Sequence, residues 1–225
     1  MIQFNELLLA LFMTSCLMLA VSSRLLHCIR LVALQGIILG ILPLSLAGMS
    51  GAGGNWTMAV INLTLKGVLL PLLLLLAMKK AGVKRELEPI AGYSFSAAAV
   101  LLMALCSFYL GRILQLPSGA SALAGIAIPA AFTTVMTGLF LIIARKKALT
   151  QVIGFLVFEN GITLFGAAVM REHPVIVELG ILLDVLVLVF IMGITVFQIS
   201  REFSHIDADR LNQLDDISTG REVQR

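Results

Sequence analysis

The sequence predicts an all-α integral membrane protein with about seven transmembrane helices. Of its 225 residues, 59% are apolar and 13% are charged, and the mean hydropathy is +1.02. Soluble domains carry about 25% charged residues, so this chain could not cover its surface with polar groups in water. Its long unbroken apolar runs are typical of membrane helices and not of alternating membrane strands. These observations exclude a soluble enzyme.

Seven apolar segments are long enough to cross about 30 Å of hydrocarbon as helices. The first six residues contain no Lys or Arg, so we expect the first apolar run to be retained as a span and not cleaved as a signal peptide. The predicted spans are 7–22, 31–48, 57–78, 93–111, 122–144, 149–170 and 175–200.

Each break between two predicted spans has its own chemistry. Arg24, His27 and Arg30 interrupt the first pair, and a glycine-rich run over 48–55 separates the second pair. The charged stretch 79–89 divides the third span from the fourth, and it is longer than a turn. The remaining breaks are short polar turns at 116–119, 145–147 and 171–174.

Basic residues fall almost entirely on one side of the predicted spans. When alternate loops are combined with the C-terminal tail, one side carries thirteen Lys and Arg residues, and the other carries Arg112 and Arg171. Cytoplasmic loops of membrane proteins are enriched in Lys and Arg. We therefore expect the N-terminus to face outward and the tail, residues 201–225, to lie in the cytoplasm.

Four charged residues fall inside the predicted spans. Lys66 and Glu159 lie near the centres of their spans, and Asp184 lies within about 5 Å of the centre of its span. Glu178 is nearer the outer surface and could simply reach water there. Each group would cost about 2.5–3.5 kcal/mol if it faced lipid, so such residues usually mark an ion or proton path. The alternative is a buried ion pair that only fixes helix register.

Glycine and proline residues near these charges predict local features of the helices. Pro71 removes the N–H that would bind the carbonyl of Gly67, which predicts a helix kink at Gly67 and Pro71 beside Lys66. Prolines without a functional role also occur in membrane helices. Gly154 and Gly161 lie seven residues apart on one helix face, and they predict close packing against a neighbouring helix.

The sequence contains no pattern for a catalytic, metal or redox-cofactor site. Cys16, Cys28 and Cys106 lie in or beside apolar runs without the CxxC spacing of zinc or iron–sulfur sites, and we expect them to be buried apolar thiols. No dinucleotide fingerprint or nucleophile–base pair is present. We therefore expect the chain to bind no metal or cofactor and to have no active site of its own.

The sequence resembles a family of small membrane subunits. Residues 131–200 resemble the three-helix NuoK subunit of respiratory complex I, with the basic turn 145–147 followed by Leu149, Gly154 and Asn160. The whole chain resembles the hydrogenase-4 component E (HyfE-like) family in the segments KGVLLPLLL, QVIGFLVFENG and VELGILLDVLV and in the tail segment HIDADRLNQL.

The resemblance to NuoK implies roles for the charges inside the membrane. NuoK carries its first membrane glutamate where this chain has Leu156, so Glu159 would replace it one turn along the same helix face. Asp184 or Glu178 would correspond to the second glutamate, and Asp184 is favoured by its depth. The first four predicted spans have no counterpart in NuoK and would pack where a second small complex I-like subunit otherwise sits. Lys66 would then supply the basic partner that antiporter-like subunits need beside a carboxylate. The implied relay of protons or other ions therefore comprises Lys66, Glu159, Asp184 and Glu178.

The resemblance to component E implies a non-redox membrane subunit of an energy-converting group 4 nickel–iron hydrogenase, of the formate hydrogenlyase or hydrogenase-4 type, in a prokaryotic cytoplasmic (inner) membrane. Besides the lipid bilayer, its partners would be antiporter-like and NuoH-like membrane subunits and a cytoplasmic hydrogenase arm, which would hold the Ni–Fe centre and Fe–S clusters. No nucleic acid is expected as a partner.

The implied organisation has three parts: a four-helix membrane part over 1–118, a NuoK-like three-helix module over 119–200 and the cytoplasmic tail over 201–225. The tail is expected either to be solvated or to dock onto the hydrogenase arm. Two other functions remain open at this point. The chain could be a component of a multisubunit cation/proton antiporter, or a purely structural assembly subunit.

Overall fold

The described part of the chain is almost entirely helical. A computed structural model describes residues 2–50, 59–60, 62–80, 92–114, 124–145 and 148–169, together with Gly180, Leu183, Val187, Ile191 and Gly193. In chain order the α-helices are α1 (Ile2–Val21), α2 (Leu25–Ser50), α3 (Leu70–Lys80), α4 (Tyr93–Ile113), α5 (Ala124–Ala144) and α6 (Ala148–Val169). A π-helical segment, Leu63–Leu69, leads directly into α3.

Five helices in the described residues are long and apolar enough to cross a membrane, so the chain is a multi-pass membrane protein. They correspond to the first, second, fourth, fifth and sixth predicted spans. The membrane-length segments are Gln3–Val21, Leu25–Leu42, Tyr93–Ile113, Ala124–Ala144 and Leu149–Val169.

The other two predicted spans are not described as single membrane-length helices. The third, 57–78, is helical wherever it is described, but the π-helical segment interrupts its α-helical spacing before α3 begins. The seventh, 175–200, lies outside the described residues except at five positions, and the tail 201–225 lies outside them entirely. The count of seven spans, the outward N-terminus and the division into three parts therefore stay predictions.

The second membrane helix begins earlier than the sequence predicted. His27 and Arg30 were expected to lie in a break, but α2 begins at Leu25 and includes both residues. The carbonyl of Arg24 accepts hydrogen bonds from the N–H groups of His27 (3.0 Å) and Cys28 (3.2 Å), which starts the helix there. The side chains of His27 and Arg30 are exposed, so the helix can carry these polar groups without burying them.

Helices α5 and α6 pack with their backbones in contact at glycine positions. A Cβ atom on Gly154 would lie 2.8 Å from the backbone nitrogen of Ile142, and one on Gly161 would lie 2.7 Å from that of Val135. Cβ atoms essentially never come within 3.0 Å of another residue's heavy atoms, so α5 could not approach as closely if either glycine had a side chain. The predicted close packing of Gly154 and Gly161 is confirmed.

The interior is formed jointly by helices from the two predicted membrane parts. One hydrophobic cluster includes Leu74 of α3 and Ile153 of α6, and the other includes Phe12 of α1 and Ile128 of α5. Helix α2 contributes to both clusters and contacts α1, α3 and α6. The polar residues described below therefore lie inside a bundle whose walls are apolar.

Helix α4 lies against α1 and α5 and is the least buried of the membrane-length helices described. Its buried residues include Val100 and Ser107, whereas large apolar side chains such as Leu102 and Tyr109 are exposed. Such a surface suits contact with apolar lipid chains. The expectation of three buried thiols is wrong for Cys106, which lies on the outer surface of α4, although Cys16 and Cys28 are buried.

Candidate functional site

Lys66 lies on the π-helical segment, where the backbone hydrogen-bond spacing departs from that of an α-helix. The N–H of Leu70 donates to the carbonyl of Leu65, five residues back instead of four. Pro71 follows immediately and has no N–H to donate. The two predicted kink residues, Gly67 and Pro71, thus lie within and just after a helix irregularity of the π type, a feature often found at functional sites.

Two glycines of α2 bring that helix against the π-helical segment. A Cβ atom on Gly36 would lie 2.5 Å from both the carbonyl carbon and oxygen of Lys66, and one on Gly40 would lie 3.0 Å from the Cβ of Leu63. The missing side chains therefore allow backbone contact between the two elements. This contact was not predicted from the sequence, although the G-x-x-x-G spacing of Gly36 and Gly40 is a known signal for close helix packing in membranes.

The structure joins Lys66 and Glu159 in a buried ion pair. The Nζ of Lys66 donates to the Oε1 of Glu159 at 2.6 Å, and the two side chains are 3% and 1% exposed. Two of the four predicted relay residues are thereby brought together from separate helical segments. The other two, Asp184 and Glu178, lie outside the described residues.

Thr163 is a second acceptor for the Lys66 ammonium. The Nζ of Lys66 donates to the Oγ1 of Thr163 at 2.8 Å, and that hydroxyl donates to the backbone carbonyl of Glu159 at 3.0 Å. Two successive turns of α6 therefore contact one cation. Thr163 was not predicted from the sequence, where its only signal is its position four residues after Glu159, on the same face of the helix.

The second carboxylate oxygen of Glu159 has a different environment. Oε2 is buried, and none of the described residues donates a hydrogen bond to it. Leaving a buried polar atom without a hydrogen bond costs about 1–3 kcal/mol. The carboxylate of Glu159 thus has one oxygen bound to an ammonium and another that could accept a proton.

A chain of buried amides and a hydroxyl starts at the next residue of α6. The Nδ2 of Asn160 donates to the Oε1 of Gln35 at 3.3 Å, and the Nε2 of Gln35 donates to the Oγ of Ser15 at 2.7 Å. The Ser15 hydroxyl in turn donates to the carbonyl of Phe12 at 2.6 Å. We call Asn160, Gln35 and Ser15 the amide chain. It connects α6, α2 and α1, and all three side chains are buried.

A thiol and a hydroxyl extend these contacts to α5. The Nε2 of Gln35 lies 3.5 Å from the Sγ of Cys16, and that sulfur lies 3.4 Å from the Oγ1 of Thr134. Thr134 also donates to the carbonyl of Ala130 at 2.7 Å. Gln35 and Thr134 were not predicted from the sequence, because a neutral polar residue in a membrane helix has no distinctive spacing.

A second buried cation lies at the turn between α5 and α6. The Nη2 of Arg145 donates to the carbonyl of Ala20 near the end of α1 at 3.2 Å, and the side chain of Arg145 is buried. Burial lowers the pKa of the Arg145 guanidinium from its ordinary value. The carbonyl of Arg145 accepts a hydrogen bond from Gln151 at 3.1 Å, which holds the turn itself. The predicted basic turn 145–147 thus anchors α1 through its first residue.

Comparison with known proteins finds relatives that match between half and most of this chain. The chain is 32% identical over 190 residues to the uncharacterized protein Rv0085 of Mycobacterium tuberculosis, covering 84% of this chain and 85% of that protein. It is also 28% identical over 116 residues to hydrogenase-4 component E of Escherichia coli and of Shigella flexneri. That distant match covers 52% of this chain and 52% of component E. No family model and no solved structure matches the chain. The identity and coverage together show that the chain belongs to the same family as the Mycobacterium tuberculosis protein Rv0085.

Proposed function

We propose that this chain is a membrane subunit of an energy-converting group 4 nickel–iron hydrogenase complex and contributes a proton or ion relay near the middle of the membrane. The observation that carries the relay is the buried Lys66–Glu159 pair, whose carboxylate retains one oxygen without a donor among the described residues. The distant similarity to hydrogenase-4 component E supports membership in such a complex. The proposal places the chain in a prokaryotic inner membrane.

The pair can store a proton because the charges of its two members depend on each other. An isolated buried charge is costly, and removing one partner of a buried pair typically costs about 3–5 kcal/mol. A proton that binds Oε2 of Glu159 would neutralise the carboxylate and weaken its attraction for the Lys66 ammonium. When the proton leaves, the full attraction returns. Proton occupancy of Glu159 and the position of Lys66 are therefore linked.

Other predicted groups extend the proposed relay beyond this pair. Asp184 is assigned the next position because its predicted depth in the membrane is close to that of Glu159 and Lys66. Glu178 lies about two turns nearer the outer surface and would connect the relay to that side. The Ni–Fe centre and Fe–S clusters are assigned to partner subunits, among them a cytoplasmic hydrogenase arm and antiporter-like and NuoH-like membrane subunits.

A structural role for the same residues is the main competing function. A buried ion pair and a chain of neutral hydrogen bonds can hold helices in register without moving any proton. The pair and the amide chain both join separate helices, which is the observation that favours this alternative.

Membership in the complex is tested by purifying the tagged chain from native membranes in a mild detergent and identifying its partners by mass spectrometry. We expect the hydrogenase large subunit to co-purify with antiporter-like and NuoH-like membrane subunits. Recovery with subunits of a cation/proton antiporter alone, or of a lone chain that transports ions in liposomes, would contradict the proposal.

The relay is tested by Glu159→Gln, with Glu6→Gln as the matched control because Glu6 is an exposed carboxylate of α1. We expect the Glu159 variant to keep hydrogenase activity with a soluble dye and to lose proton translocation in inverted membrane vesicles. The Glu6 variant should keep both. Coupling at the wild-type level in Glu159→Gln would remove Glu159 from the path.

The double variant Lys66→Met/Glu159→Met separates a relay from a structural role. Apolar replacement of both members of a buried pair is often neutral or stabilising, so the complex should assemble. A purely structural pair predicts an assembled complex that still couples hydrogen chemistry to proton movement. The proposed relay predicts an assembled complex that does not.

A further inference from the structure

We propose that Thr163 is a positioning residue that keeps the Lys66 ammonium in the site while Glu159 carries a proton. The inference rests on the proposed relay and adds to it a residue that acts through Lys66. The Nζ of Lys66 contacts Glu159 at 2.6 Å and Thr163 at 2.8 Å at the same time.

The hydrogen bond from Thr163 to the helix backbone determines how its hydroxyl faces the cation. A threonine hydroxyl has one hydrogen to donate and two lone pairs to accept with. The hydrogen of Thr163 is committed to the carbonyl of Glu159 at 3.0 Å, so the hydroxyl presents a lone pair to Lys66. This acceptor belongs to a neutral group, and its strength does not depend on whether Glu159 is ionised.

Protonation of Glu159 makes this second acceptor important. The neutral carboxylic acid attracts the ammonium less strongly, while burial still makes an ammonium without acceptors costly. The backbone of Lys66 is held against Gly36, so the flexible end of its side chain is what can move away. Thr163 keeps that end within reach, and the ion pair forms again as soon as the proton leaves.

The contact with a cation distinguishes Thr163 from the other threonines that the structure describes. Thr14, Thr133 and Thr137 also donate to the carbonyl four residues earlier, which is a common arrangement for threonine in membrane helices. Thr163 differs from these three described threonines because its hydroxyl also accepts a hydrogen bond from the ammonium of Lys66. Thr14 is exposed on α1 and is therefore a matched control for loss of the backbone hydrogen bond.

The test compares Thr163→Val, Thr163→Ala, Thr163→Ser and Thr14→Val in the complete membrane complex. The readouts are protons translocated per hydrogen turned over in inverted vesicles, dye-linked hydrogenase activity, and the amount of the chain in the membrane. Loss of a hydrogen bond to a charged group should lower the population of correctly placed ammonium about tenfold or more. We therefore expect coupling below half of the wild-type value in Thr163→Val and Thr163→Ala.

Rescue by serine separates positioning from packing. Thr163→Ser keeps the hydroxyl and should couple like the wild type, and Thr14→Val should do the same. Equal loss of coupling in the serine and valine variants would overturn the inference, because the hydroxyl would not be the group that matters. If valine prevents accumulation of the chain, the alanine variant gives the same comparison with a smaller side chain.

Glu159→Gln in the same vesicles separates failure of this inference from failure of the relay. Loss of coupling in Glu159→Gln together with normal coupling in Thr163→Val and Thr163→Ala overturns the role of Thr163 and leaves the relay in place. Normal coupling in Glu159→Gln overturns the relay and the role of Thr163 with it. Because Thr163 acts through the Lys66–Glu159 pair, we expect the double variant Thr163→Val/Glu159→Gln to couple no worse than Glu159→Gln alone.

Discussion

Glu159 and Asn160 are consecutive residues of α6, yet their side chains belong to different hydrogen-bonded groups. Glu159 binds the ammonium of Lys66, whereas Asn160 donates to the amide oxygen of Gln35 on α2. Consecutive side chains on an α-helix point about 100° apart, so one turn of α6 can contact both partners. Helix α2 contacts both groups, because Gln35 accepts the hydrogen bond from Asn160 and the adjacent Gly36 lies against the backbone of Lys66. Helices α2 and α6 therefore contribute to both the charged pair and the amide chain.

Removing the cation should destabilise the complex. Lys66→Met leaves the Glu159 carboxylate buried without the ammonium, which we expect to cost about 3–5 kcal/mol if the carboxylate stays ionised. Lys79→Met is the control, since Lys79 is exposed and surface changes usually stay within about 0.5 kcal/mol. The thermal unfolding midpoint in mild detergent measures the difference. Equal midpoints for the two variants would contradict the burial argument.

Removing the central amide should destabilise the bundle without altering any charge. Gln35→Leu leaves the Asn160 amide and the Ser15 hydroxyl without their partner, at an expected cost of about 1–3 kcal/mol. Gln3→Leu is the control because Gln3 is exposed. Thermal unfolding of both variants tests this, and a Gln35 variant as stable as the Gln3 variant would show that the amide chain contributes no net stability.

Adding a single methyl group to α2 should disturb the site. Gly36→Ala would place its Cβ 2.5 Å from the backbone of Lys66, so one of the two elements must move. Overpacking of this kind typically costs about 1–3 kcal/mol, and we expect coupling to fall because Lys66 is displaced. In Gly125→Ala the new Cβ meets nothing within 4 Å, and this control should leave both stability and coupling unchanged or slightly improved. Vesicle coupling and unfolding midpoints measured on both variants provide the comparison.

Removing the buried guanidinium between α5 and α6 should loosen the end of α1. Arg145→Leu deprives the carbonyl of Ala20 of its donor, for an expected loss of about 1–3 kcal/mol. Arg112→Leu, at the exposed end of α4, is the control. Hydrogen exchange of the last turn of α1 should increase in the Arg145 variant and not in the Arg112 variant. Unchanged exchange in both would contradict an anchoring role.

The apolar runs were sufficient to predict the membrane-length helices, because burial in lipid requires long continuous apolar segments. The same reasoning identified Lys66 and Glu159, since a charge inside such a segment is costly and rare. Their pairing could not be predicted in this way. It depends on which helices are neighbours, and that is determined by backbone contacts such as the one at Gly36.

The neutral residues of the site could not be predicted from the sequence alone. Thr163, Gln35 and Ser15 are residue types that membrane helices contain for many reasons, and their importance comes from the groups they face. The π-helical spacing was equally hidden, because Pro71 indicated an irregularity without specifying its type. Residue chemistry therefore predicted the two charged residues, and the three-dimensional arrangement revealed their pairing and the neutral groups around them.

The backbone spacing of the π-helical segment determines which way the residues before Pro71 face. A π turn holds more residues than an α turn, so the segment works as a spacer between two ordinary stretches of helix. If the same residues took the α spacing of about 100° per residue instead of the wider π turn, Lys66 and the residues before it would rotate relative to α3. The ammonium would then point away from α6 even though its chemistry is intact. The backbone spacing in this stretch is thus as important for the pairing as the identity of the lysine.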